Sequence, residues 1–114
     1  MIFEIRTCIG PNGCSAADLE EAVRLHNEVR VLIDSDGGDS RSGLALAETV
    51  EKHQLPVKAH RAISSAALIA MSGLDRAIAE DGFIGVHPAW TAIAGGACEL
   101  EARARDLQKV EEVL

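Results

Sequence analysis

Three short segments hold residue types from which a hydrolytic site can be built. The first is Asp36-Gly37-Gly38, where two glycines allow positive φ and let a ligand come close to backbone N–H groups. Such amides can stabilise a developing oxyanion, although the same turn also serves as a plain strand-to-helix connection. The second is Ile63-Ser64-Ser65-Ala66-Ala67, with serines at the start of a small-residue helix. A helix N-terminus favours negative charge, and a serine there is equally a routine N-cap. The third is Gly85-Val86-His87-Pro88, where a histidine closes an apolar strand. Imidazole titrates near neutrality and suits general-base work, but a lone strand-end histidine is as readily a packed or solvated residue. The phosphate-binding patterns GxGxxG and GxxxxGK[ST] are both absent.

These segments need elements to position them. Residues Ile2 to Arg6 alternate apolar and polar, as a half-buried strand does. A turn-rich loop, Cys8 to Cys14, precedes a helix with Ser15 as N-cap and Leu19, Ala22, Val23 and His26 at helical spacing. Val29 to Ile33 reads as a strand that Asp34 to Ser40 breaks, and Gly43, Leu46, Ala47 and Val50 mark the next helix. Pro56 resets the chain into a strand over Val57 to His60. A helix follows from about Ser64 to Ser72, with Gly73 as its C-cap. Two short strands, Ala77 to Ala79 and Phe83 to Val86, flank a Glu80-Asp81-Gly82 turn. Pro88 to Gly96 reads as loop, and Ala97 to Leu114 as a charged helix with Leu100, Ala104, Leu107, Val110 and Leu114 along its stripe. Strands alternating with helices predict an α/β fold with a largely parallel sheet.

In order and spacing, these segments resemble the Clp protease proteolytic subunit and its relatives in the ClpP/crotonase superfamily, especially the shorter Clp-type peptidases of phages and prophages. The family's Asn-Ser-Pro-Gly-Gly is matched by Asp34-Ser35-Asp36-Gly37-Gly38, and its nucleophile segment by Ala62-Ile63-Ser64-Ser65-Ala66 with Gly73 closing. Its strand ending in histidine is matched by Phe83 to Pro88, and its diglycine before a long helix by Gly95-Gly96. The resemblance implies a spiral of ββα units with a mainly parallel sheet, in one domain over residues 1–114. It implies Ser64 as nucleophile, His87 as the base and later acid, and the Gly38 and Ser65 amides as an oxyanion hole. An extended substrate would lie as an added strand along the edge at Gly37. Asp36 stands where the family has proline, and Arg61 and Ile63 where it has smaller residues. The family's third triad member is an aspartate beyond the equivalent of Leu114. The unterminated last helix therefore predicts a domain lacking the C-terminal part of the fold. A serine–lysine dyad would need Lys109, which falls on a charged helix that reads as solvated.

Composition narrows the remaining choices. At 114 residues, with 47% apolar, 25% charged and 3% aromatic residues, the chain is one domain with an aliphatic core. A net charge of −7 without a basic cluster argues against nucleic-acid binding, which needs phosphate neutralisation. The longest nearly apolar run, Ala62 to Met71, is too short to span a bilayer. Three cysteines without a metal-site pattern, and four scattered histidines, point to a reducing, cytoplasmic setting with no metal site and no cofactor. The reading is a serine peptidase acting on peptides or unfolded protein, as a homo-oligomer, alone or assisted by an ATP-dependent unfoldase. Two alternatives stay open: a crotonase-like acyl-CoA enzyme using the same amides for an enolate, and a catalytically inactive assembly subunit.

Overall fold

The second strand shows how the sheet is built. In Arg30–Ser35, Val31, Ile33 and Ser35 are buried, while Leu32 and Asp34 are half-buried on the opposite face. The computed structural model describes residues 1–6, 8–10, 13–87 and 95–113. Their order is β1 (Ile2–Ile5), α1 (Ala16–Leu25), β2 (Arg30–Ser35), α2 (Ser40–Lys52), β3 (Val57–Ile63), α3 (Ser65–Ser72), β4 (Arg76–Gly85) and α4 (Ala97–Val113). The four strands form one sheet in the order β1-β2-β3-β4, and every pairing is parallel. Parallel neighbours require crossover connections, and α1, α2 and α3 supply them. The α/β, mainly parallel architecture read from the sequence is the one observed.

The core is aliphatic, as the scarcity of aromatics requires. Ile5, Ile33, Leu46, Val50 and Ile69 are wholly buried, with Ala62, Ala66 and Ala70 filling the narrow space where α3 meets the sheet. Gly73 is the C-cap of α3 but has extended backbone, φ −68° and ψ 146°. It is not the left-handed cap that a helix-ending glycine suggests. A Cβ there would lie 2.7 Å from Val57 Cγ2, so the glycine is needed for close approach to β3.

Three boundaries differ from the sequence reading. β2 runs on through Asp34 and Ser35, because Asp34 pairs across the sheet with Arg61 and the Ser35 hydroxyl accepts from Gly37 N–H at 3.0 Å. β3 likewise continues to Ile63, one residue before the candidate nucleophile. The Glu80-Asp81-Gly82 turn does not separate two strands: β4 is continuous, and both halves pair in parallel with β3. Between Ala59 and Arg61 the partner on β4 jumps from Ile78 to Phe83, so the turn signal marks a bulge. The tip of the first loop (Pro11-Asn12), residues 88–94 of the last loop with Pro88, and Leu114 lie outside the described residues.

Helix α1 begins at Ser15, whose hydroxyl accepts from Asp18 N–H at 3.3 Å, the cap expected from the sequence. Helix α2 is capped by Asp39, which accepts from the Ser42 N–H and hydroxyl at 2.9 and 2.8 Å. Those bonds to the ionised carboxylate, the hydroxyl's first, hold its pKa below the usual aspartate value of 3.8. α4 packs little against the other described elements, and the molecule measures 50 × 31 × 22 Å.

A depressed carboxylate pKa contributes stability above its unfolded value, and that contribution is lost as pH falls through the folded value. Asp39→Ala should therefore cost about 1 kcal/mol at neutral pH, with Asp39→Asn nearly as stable as the parent. Below pH about 4 the parent should lose stability more steeply than Asp39→Asn, as followed by chemical denaturation across pH.

Candidate active site

Ser64 joins the end of β3 to the start of α3, with φ 61° and ψ −126°. This backbone region is strained for any residue with a Cβ. Its hydroxyl makes no capping bond, so the routine N-cap role does not explain the serine. The main chain is fixed on both sides, with Ser64 N–H donating to Gly85 O at 2.9 Å and Ala67 N–H donating to Ser64 O at 3.0 Å. A strained strand-to-helix turn of this kind lifts a hydroxyl away from its own helix, as nucleophile elbows do.

The glycine turn packs directly on that junction. Gly37 has φ 96°, and a Cβ added to it would lie 2.6 Å from Ile63 O and 2.8 Å from Ser64 Cβ. No side chain fits between the two turns. The Ser35 hydroxyl holds Gly37 N–H from below, and Ile9 braces the turn from its other side. Ile9 N–H donates to Gly37 O at 3.0 Å, and Ile9 O accepts from Asp39 N–H at 2.9 Å. Gly38, with φ 155°, lies so close to Ile9 O that a Cβ could not be accommodated. Among the described residues no partner takes the Gly38 N–H. Ser65 is the first residue of α3, so its N–H is one of the first-turn donors with no intrahelical acceptor. The two residues singled out in the sequence for their amides thus belong to the two turns that meet at Gly37 and Ser64.

His87 is placed by strand register. Ile63 pairs with Gly85, and His87 follows Gly85 by two residues beyond the end of β4. It is therefore at the same C-terminal edge of the sheet as Ser64, and it is exposed. Ligand sites of open parallel sheets collect at this edge. Sequence reading missed two supports of the site. Ile9, wholly buried, sits in a segment whose glycines and proline read only as loop. Ser35 stood in plain view within the motif but without a role.

Two further polar side chains, Ser65 and Cys14, are withdrawn from chemistry. Ser65 is buried and its hydroxyl has no hydrogen-bond partner among the described residues. Gly43 of α2 presses on it, and a Cβ there would lie 2.5 Å from Ser65 Cβ. Burial pushes the Cys14 thiol up to about 11, which keeps it protonated near neutrality and unsuited as a competing nucleophile. Among the described residues no group of three or more His, Cys, Asp or Glu side chains could hold a metal ion. No helix there is long and apolar enough to cross a membrane.

A parallel α/β sheet carrying a serine-bearing elbow against a diglycine turn at its C-terminal edge defines the architectural class. The family model for Clp protease matches residues 19–114, and the chain belongs to the Clp protease family. No curated protein matches it.

The strain at Ser64 and the contact at Gly43 make opposite stability predictions. Ser64→Gly should be more stable than Ser64→Ala by about 1 kcal/mol, because only glycine relaxes the positive φ. Gly43→Ala should destabilise by about 1–3 kcal/mol through overpacking against Ser65. Thermal and denaturant melts of the three variants check both.

Proposed function

We propose that the chain is a serine peptidase subunit in which Ser64 is the nucleophile and His87 its proton acceptor. One observation carries the reading. The only serine of the junction held at positive φ, Ser64, abuts the Gly37 turn, where the Gly38 and Ser65 amides are available to an anion. In this mechanism His87 takes the hydroxyl proton as Ser64 Oγ attacks the peptide carbonyl. The tetrahedral oxygen receives hydrogen bonds from the Gly38 and Ser65 N–H groups. His87 then returns the proton to the leaving amine, and water repeats the sequence on the acyl-enzyme. The substrate is an extended peptide or unfolded protein segment laid along the edge at Gly37, as an added strand.

Assembly belongs to the same proposal. α4 presents Leu100, 42% exposed, on a helix with little packing in its own chain. A second copy of this chain is the fitting cover, giving a homo-oligomer. We place the subunit in the cytoplasm, where an ATP-dependent unfoldase would deliver folded substrates and short peptides would need no assistance.

The reading is tested with a fluorophosphonate probe and a small activated ester. The parent chain should label at Ser64 and turn over the ester. Ser64→Ala and His87→Ala should each abolish both signals, by at least about 10³-fold. Ser65→Ala should be mild, since only its backbone N–H is used. Mass spectrometry placing the label on Ser65, or turnover indifferent to Ser64, would contradict the assignment.

A further inference from the structure

Two of the departures from the family pattern meet in space. Arg61 Nε lies 3.4 Å from Asp34 Oδ1 and 3.3 Å from Asp36 Oδ1. Asp34 and Arg61 are cross-strand partners on β2 and β3, while Asp36 begins the diglycine turn. The Nε is shielded from solvent, and neither contact has hydrogen-bond geometry, so the cluster is held by charge. Arg6, the other nearby cation, is engaged by Glu4 at 2.7 Å. Arg6 also feels the charge of Asp34, but Arg61 is the cation in contact with both Asp34 and Asp36.

The placement matters because Asp36 is covalently adjacent to Gly37 and two residues from the Gly38 amide. A carboxylate there opposes any negative charge developing at that amide, over a short distance that solvent and salt only partly screen. Arg61 precedes Ser64 by three residues on the strand that delivers it, and its contact with Asp36 sets its charge against that carboxylate. We infer that Arg61 is a positioning residue for the oxyanion site: it neutralises Asp36 and so keeps the Gly38 amide able to accept an anion. Proline at this position would need no such partner. The inference rests on the peptidase reading, since the anion in question is the one formed on attack by Ser64.

The charge balance gives a distinctive pattern of variants. Arg61→Gln removes the cation that contacts both carboxylates and should slow fluorophosphonate labelling of the full chain about threefold at low salt. Raising ionic strength should shrink that defect. Asp36→Asn leaves Asp34 matched to Arg61 and should speed labelling by a similar factor. The double variant Asp36→Asn/Arg61→Gln restores the parent's local charge and should return the rate to the parent value. Arg61→Lys should retain most of it. A purely structural role for Arg61 predicts instead that the double variant is as slow as Arg61→Gln and insensitive to salt, and that result overturns the inference. So does an Arg61→Gln rate equal to the parent. Failure of the parent chain to label at all would refute the peptidase reading itself, and this role with it.

Discussion

The contact between Gly37 and the Ser64 junction is the constraint on which the rest of the site depends. Two chain reversals, one after β2 and one after β3, must occupy the same few ångströms at the sheet edge. The space admits no side chain at Gly37, and the junction holds Ser64 at a φ that an L-residue ordinarily avoids. Such strain persists only where the surroundings over-determine it. Here the determinants are the Ser64 N–H bond to Gly85, the Ser35 hydroxyl beneath Gly37 and the buried Ile9 behind it. The small residues of α3 follow from the same crowding, because Ala66 and Ala70 let that helix lie close to β3 and α2.

Packing and chemistry are therefore one problem in this chain. A serine placed as an ordinary helix cap would satisfy a first-turn amide with its hydroxyl and would be spent as a nucleophile. At Ser64 the backbone geometry withholds that bond, leaving both the hydroxyl and the Ser65 amide for another partner. Ser65 shows the converse: its side chain is shut away against Gly43, while its N–H, in the first turn of α3, has no intrahelical acceptor. The adjacent serines, indistinguishable by type, are separated by their backbones.

Much of this was legible in the sequence. Alternating strands and helices predicted the parallel α/β sheet, and the diglycine, Ser64-Ser65 and His87 segments lie at strand ends on one edge of that sheet. What escaped is non-local. Asp34-Ser35 reads as a strand breaker, yet a cross-strand arginine and a hydroxyl-to-amide bond carry β2 through it. Glu80-Asp81-Gly82 reads as a turn, yet pairing of both flanks with β3 keeps β4 in one strand around a bulge. Ile9 looked like loop because its role is defined only by residues far along the chain. Asp36 and Arg61 each look unfavourable alone, and their compensation shows only when β2 and β3 are set side by side.

The proposed peptidase site requires that the Gly38 and Ser65 amides converge on a common point beside Ser64 Oγ. It is tested most directly by following the backbone amide resonances of the folded chain as Ser64 is phosphonylated. The phosphonyl oxygen of the adduct mimics the tetrahedral oxyanion, so both amide protons should move downfield together while those of β1 stay in place. A complete Ser64 adduct that leaves either amide unshifted would contradict the account.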